Sequence, residues 1–185
     1  MISLNQIKTG DLIELDGKPY RVLFSQHSKL GRGGAILRTK LKNLINGSIL
    51  SKTFKGDTEL DYAQLDKTTA QFLYSEGENY NFMDSQTYEQ FTLTKAQIGK
   101  GADFLVEGAQ ISILSYDERP VSVDLPIKIN LKVTDAEPGV KGDSATAPTK
   151  NITLESGAII KGPIFIKEDD IVTIDIRTGK YVGRV

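Results

Sequence analysis

The chain has 185 residues, 39% hydrophobic and 8% aromatic, with a quarter of its residues charged and no cysteine. That length and composition suit one large domain or several small ones with cores of their own, and the missing thiols exclude disulfides, thiolate metal sites and a cysteine nucleophile. The formal net charge of −1 hides a polarised molecule: residues 1–56 carry ten basic and three acidic groups, +7, and residues 57–185 carry 13 basic and 21 acidic groups, −8.

Between Lys18 and Gly56 lie nine cations (Lys18, Arg21, Lys29, Arg32, Arg38, Lys40, Lys42, Lys52, Lys55) and no Asp or Glu. Such asymmetry points to a polyanion met by one end of the molecule, most simply nucleic acid. The acidic remainder argues against a general nucleic-acid coat and for docking into a defined site. No apolar run approaches 18 residues, which excludes a membrane-spanning helix. The N-terminal Met-Ile-Ser-Leu-Asn-Gln lacks the basic and apolar regions of a signal peptide, so a cytoplasmic location is expected.

In chain order, residues 11–15 and 18–24 read as a hairpin, because Asp16-Gly17 supplies the positive φ of a type I′ turn. Ser28-Lys29-Leu30-Gly31-Arg32-Gly33-Gly34-Ala35 follows, with three glycines around one arginine. Glycine lets backbone turn tightly and approach another surface closely, so this loop reads as a device that lifts Arg32. After it, Leu37, Thr39 and Leu41 alternate with Arg38, Lys40 and Lys42, which puts three cations on one strand face. Residues 36–45 and 48–54 form a second hairpin about Asn46-Gly47 by the same turn logic. Residues 57–67 are polar and acidic, a junction.

Residues 71–74 and 79–83 flank a Ser75-Glu76-Gly77-Glu78 turn. Asp84 or Ser85 can cap one helical turn, and residues 94–99 make a second short helix. Strands follow at 110–114 and 120–124 around Tyr116-Asp117-Glu118-Arg119, then at 128–133. Residues 136–149 are a loop rich in Gly, Pro, Ser and Thr; strands at 158–161, 163–166, 171–176 and 181–185 close the chain. A weak echo runs through the whole: residues 7–15, 105–113 and 166–174 each show an apolar anchor, a small or turn residue three later, then alternating apolar residues. The separations are unequal, which excludes a solenoid. Three all-β blocks, each led in by a similar hairpin, fit small barrels.

No catalytic constellation emerges. His27 is the single histidine and there is no cysteine, so nucleophile–base pairing would rest on His27 alone; packing, hydrogen bonding or RNA contact suits it better than acid–base work. Metal sites lack clustered His or Cys. Gly31-Arg32-Gly33-Gly34 is neither a Walker loop nor a dinucleotide fingerprint, and Glu168-Asp169-Asp170 reads as a solvated turn. Neither an enzyme nor a bound cofactor is expected.

The stretches Lys29 to Ala35, Lys40-Leu-Lys-Asn43, Lys52-Thr-Phe54, Phe82-Met-Asp84 with Tyr88-Glu-Gln90, Pro138 to Ser144, Gly157 to Pro163 and Arg177 to Arg184 together resemble bacterial elongation factor P along the full length. The resemblance implies three β-barrels in an L shape, an SH3-like (KOW-like) domain over 1–64 and two OB domains over 65–127 and 128–185. It implies a monomer that binds the 70S ribosome beside the peptidyl-tRNA, contacting ribosomal RNA, and that stimulates peptide-bond formation at consecutive prolines. Arg32, with Lys29, Gly31, Gly33 and Gly34 around it, would stand at the peptidyl-transferase centre. Arg38, Lys40 and Lys42 would bind RNA. In the last domain Lys141, Asp143 and Ser144 would face the messenger in the exit site, and Tyr181 and Arg184 would contact RNA.

Many family members carry a modified lysine at the tip within Lys-Pro-Gly-Lys-Gly. Here Leu30 replaces the proline and Arg32 the lysine, which resembles the arginine branch, some of whose members carry a rhamnose placed by a glycosyltransferase. Gly162 stands where the family usually has valine and Asp169 where it usually has glycine. Two rival readings are a free-standing RNA- or single-strand-binding OB protein and a paralogue with another task. The first needs aromatic stacking platforms in a basic groove, whereas the later blocks are acidic with scattered aromatics.

Overall fold

The computed structural model describes residues 2–29, 35–56, 58–138 and 149–185. The chain is all-β, arranged as three sheets with the orders β1-β6-β2-β3-β4-β5, β11-β10-β7-β8-β9 and β14-β13-β12-β15-β16. The first comprises β1 (Ile2–Ser3), β2 (Leu12–Leu15), β3 (Lys18–Lys29), β4 (Ala35–Asn43), β5 (Ile49–Lys55) and β6 (Glu59–Tyr62). The second comprises β7 (Asp66–Glu76), β8 (Asn79–Asp84), β9 (Gln90–Thr94), β10 (Gln110–Tyr116) and β11 (Arg119–Asp124). β12 (Lys128–Ala136), β13 (Thr149–Leu154), β14 (Ile159–Pro163), β15 (Ile171–Asp175) and β16 (Lys180–Arg184) make the third. In the second and third sheets alike, the first strand in sequence is central, with strands two and three on one side and four and five on the other. Each sheet closes over its own apolar cluster, giving three barrel-like units.

Turn chemistry accounts for most of the hairpins. Asp16 (φ 53°) and Gly17 (φ 67°) both take the left-handed conformation that a two-residue type I′ turn requires. The Asn46-Gly47 turn differs from expectation. Only Gly47 has positive φ, and the loop is longer than two residues. Asn43 Oδ1 accepts the N–H groups of Ile45 (2.8 Å) and Asn46 (3.3 Å), and the Gly47 N–H donates to the Asn43 carbonyl at 2.9 Å. The asparagine side chain captures backbone donors before a two-residue turn can form.

β6 and β13 are strands that the sequence pattern does not announce. β6 lies within the expected junction; its Leu60 enters the first core opposite Ile2, closing the sheet between β1 and β2. β13 is masked in the sequence by its polar Thr149-Lys150-Asn151 start, although Ile152 and Leu154 are buried. Residues 163–166, expected as a strand, form a turn in which the Ile166 N–H donates to the Pro163 carbonyl. The short helix α1 (Lys95–Ile98) appears as expected, held by a reciprocal capping box between Thr94 and Gln97.

The weak sequence echo has a physical basis. Gly10, Gly108 and Asp169 occupy the same left-handed position (φ 102°, 83° and 72°), three residues after the buried anchors Ile7, Leu105 and Ile166. Their N–H groups donate to the carbonyls of Val22, Phe72 and Val133, and those three residues donate back to the carbonyls of Asp11, Ala109 and Asp170. One lead-in turn, with one pair of backbone bonds, begins the second half of each OB sheet and the first sheet's opening hairpin.

The units are also joined by packing. Phe104, from a 3-10 helix (Lys100–Phe104) that follows α1, is buried within the third core. Leu125 packs against both the second and third cores.

Candidate nucleic-acid interface

Strand pairing builds the basic face. β4 is flanked by β3 and β5, and directly opposed residues share a face. Arg38 lies between Gln26 and Thr53, Lys40 between Phe24 and Ser51, and Ile36 between Ser28 and Lys55. On the other side of β4, Leu37, Thr39 and Leu41 are buried, and the Thr39 hydroxyl donates to the Lys52 carbonyl at 2.9 Å. Arg38, Lys40 and Lys55 are exposed, and β3, β4 and β5 contain no acidic residue. An array of long cations and neutral polar groups on a flat surface, with no carboxylate on its own strands, is suited to phosphate oxygens.

Lys42 does not belong to this surface, which corrects the expectation of three equivalent cations. It is only 8% exposed, and its ammonium donates to the Gln97 carbonyl at 2.8 Å. Sequence alternation assigns it the same face as Arg38 and Lys40, but at this end of β4 the second barrel covers that face. Gln97 Nε2 donates to the Ile45 carbonyl at 2.9 Å, the Ser122 hydroxyl also donates to the Gln97 carbonyl at 3.0 Å, and the Tyr116 hydroxyl reaches the Gly17 carbonyl at 3.3 Å. Arg21 stands directly opposite Lys42. Two like charges so placed repel. Burial, with the repulsion of Arg21 second, lowers the Lys42 pKa to about 8; burial lowers that of Arg21 as well, opposed by the attraction of Asp124. Gly47 completes the joint, since a Cβ there would lie 2.5 Å from the Ala96 carbonyl carbon.

Arg32, Gly31, Gly33 and Gly34 lie outside the described residues, as do Lys141, Asp143 and Ser144. The backbone of Lys29 pairs with Ala35 at the far end of the β3–β4 ladder, so residues 30–34 connect the two strands there. β3 is 12 residues long, roughly 40 Å at strand rise, and its first half belongs to the barrel, where Tyr20 and Val22 join the first core. His27, on this strand, donates from Nε2 to the Ile7 carbonyl at 3.0 Å.

At the other end of the molecule, Tyr181 is partly buried against the third core, so its ring serves packing. The Arg184 guanidinium lies 5.8 Å from the Phe165 ring centroid and 3.6 Å from Asp170. Both residues are engaged within their own barrel. A cleft of about 770 Å³ opens between the second and third barrels, lined in part by Asp103, Phe104, Glu107 and Glu155. It lies away from the basic face and carries acid groups. Among the described residues no group of His, Asp or Glu could hold a metal ion, and no helix is long and apolar enough to cross a membrane.

Sequence reasoning missed Arg21, Gln97 and Phe24. Gln97 matters through its hydrogen bond with Lys42, which spans 55 residues of chain, and Arg21 through its place opposite Lys42; local patterning carries no signal for either. Phe24 is missed because a β-bulge changes the phase of β3 between Val22 and Phe24.

The fold and this face define a class: a three-unit all-β factor, with a basic first barrel and two OB barrels of the same strand order. Family models of elongation factor P match in three consecutive segments, the KOW-like domain over residues 3–60, the OB domain over 65–123 and the C-terminal domain over 129–184. The elongation factor P of Syntrophomonas wolfei is 46% identical over 185 residues, and that of Moorella thermoacetica 43% identical over 184, each alignment covering 100% of both chains. The solved structure of a eukaryotic translation initiation factor 5A from Methanococcus jannaschii aligns over 66% of this chain and 90% of its own, with a TM-score of 0.49 and 21% identity. The chain belongs to the elongation factor P family of translation elongation factors.

Proposed function

We infer that the chain binds the 70S ribosome beside the peptidyl-tRNA and promotes peptide-bond formation where consecutive prolines stall it. The observation that carries this reading is the outer face of β3–β5, whose strands hold no acidic residue and whose β3–β4 hairpin is connected by residues 30–34. On this reading the basic face grips RNA phosphates, and Arg32 reaches the peptidyl-transferase centre. The factor supplies no reacting group of its own and needs no cofactor. It lowers the barrier by holding the peptidyl-tRNA in a productive pose, which is the entropic part of catalysis. The ribosome performs the bond chemistry. The third barrel approaches the messenger in the exit site through Lys141, Asp143 and Ser144.

Arginine keeps its charge and presents a planar fork to phosphate or ribose oxygens. Arg32 is therefore the residue on which the activity turns, bare or carrying a rhamnose added by a glycosyltransferase. The test is translation of a Pro-Pro-Pro reporter with and without the protein. Arg32→Ala is expected to keep most ribosome affinity and lose stall relief, and Arg32→Lys to be impaired because an ammonium lacks the fork. Intact mass of the native protein separates the bare form from one bearing an added deoxyhexose. Stall relief at the wild-type rate by Arg32→Ala would overturn the assignment.

A further inference from the structure

Along β3, Tyr20 and Val22 face the first core, so strict alternation would send Phe24 inward as well. The structure does the opposite. Val22 pairs with Leu41 and Phe24 with Lys40, leaving Leu23 as the extra residue of a bulge. Beyond the bulge the inward positions pass to Ser25 and His27, opposite Thr39 and Leu37. Phe24 is turned out and stands 46% exposed, with Leu23 beside it at 39%. Bulges commonly re-aim a side chain beside a functional surface. Here an aromatic ring that alternation would bury is instead placed on the outer face, directly across from Lys40 and one row from Arg38 and Gln26.

We propose that Phe24 is a stacking platform for an unpaired nucleobase of RNA, whose flanking phosphates are held by Lys40 and Arg38. This rests on the nucleic-acid reading of the face and deepens it, from phosphate grip to recognition of a nucleotide outside a duplex. The partner is RNA rather than a protein segment because Arg38, Lys40 and Lys55 stand exposed while β3, β4 and β5 contain no carboxylate side chain. A ring flanked by cations and neutral hydrogen-bonding groups is the combination with which proteins take single-stranded nucleotides. Paired bases present only edges and backbone, so a ring on a flat face gains little from a continuous helix.

The test uses the full chain and 70S ribosomes carrying peptidyl-tRNA. Phe24→Ala and Phe24→Leu are expected to weaken binding roughly five- to a hundredfold, the range seen for loss of one base–aromatic stack. Phe24→Tyr and Phe24→Trp keep a ring and should bind like the wild type. None of these removes a charge, so the log–log salt slope stays unchanged, whereas Arg38→Glu with Lys40→Glu should lower it by roughly 0.7 to 0.9 for each phosphate no longer neutralised. A photoreactive phenylalanine analogue at position 24 should crosslink to a nucleotide. Wild-type affinity in Phe24→Leu, with its melting temperature unchanged, overturns the stacking role, as does a crosslink to protein alone or none at all. If the Arg38 and Lys40 reversals also leave affinity and slope untouched, the nucleic-acid reading of the face falls with it; if only the Phe24 variants are silent, that reading stands.

Discussion

Gly47→Ala is the sharpest probe of how the first two barrels are held. Gly47 sits at φ 74°, and a Cβ there would come within 2.5 Å of the Ala96 carbonyl carbon and 2.6 Å of its oxygen. These are backbone atoms of α1, so no side chain can swing away. The left-handed conformation alone costs alanine roughly 1–2 kcal/mol. Relieving the clash means parting the joint, which removes the Lys42–Gln97 and Gln97–Ile45 hydrogen bonds. The first is charge-assisted and contributes roughly 1.5–3 kcal/mol, the second roughly 0.5–1.5 kcal/mol, so the total with the conformational cost is about 3–6.5 kcal/mol. Gly77→Ala is the matched control, since Gly77 has φ 60° and open space where its Cβ would point. It should cost only the conformational part. Hydrogen–deuterium exchange should then show residues 95–99 deprotected in Gly47→Ala and unchanged in Gly77→Ala, with X-ray scattering reporting a wider spread of barrel separations in the first. Equal exchange in the two variants would refute the claim that this contact fixes the joint.

The Lys42 pKa is about 8 in the folded chain against an ordinary 10.5, so below pH 8 the native state bears the full cost of a buried ammonium, and stability rises as pH climbs from about 8 to 10.5. Denaturant midpoints of wild type and Lys42→Met should diverge in the wild type's favour across that window, and a constant difference would refute the assignment. Asp169 is the non-glycine member of the three lead-in turns. Asp169→Gly relieves left-handed strain of roughly 1 kcal/mol and gives up only an exposed, solvent-screened ion pair with Lys132, so the melting temperature of the third barrel should rise. Gly108→Ala should lower that of the second barrel, and calorimetry on the full chain checks the opposite signs.

What is legible in the sequence is local. The Asp16-Gly17 turn, the short helix within residues 94–99 and the three anchors Ile7, Leu105 and Ile166 each rest on residues a few positions apart, where φ preference and alternation act directly. The strand face of Arg38 and Lys40 is legible for the same reason. Lys42 is not, because its surroundings come from Gln97 and Arg21 rather than from its neighbours in β4. Phe24 is not, because a single inserted residue reverses every side chain after it. β13 and β6 are short strands whose outward residues are polar, and only the sheets that receive them reveal the pattern.

Phe104 bears on how the molecule is made. The chain emerges from synthesis N-terminus first, so the second barrel's strands and the helical turns that carry Phe104 are complete before β12 appears. Phe104 is therefore available when Leu131, Val133, Ile152 and Val172 emerge, and in the folded chain it lies in one cluster with them. A protein synthesised in the opposite domain order would have to close that core with its central aromatic still missing, at a cost on the scale of a phenylalanine deletion, about 3–5 kcal/mol. The order of the barrels along the chain is thus also the order in which Phe104 and the core that receives it become available during synthesis.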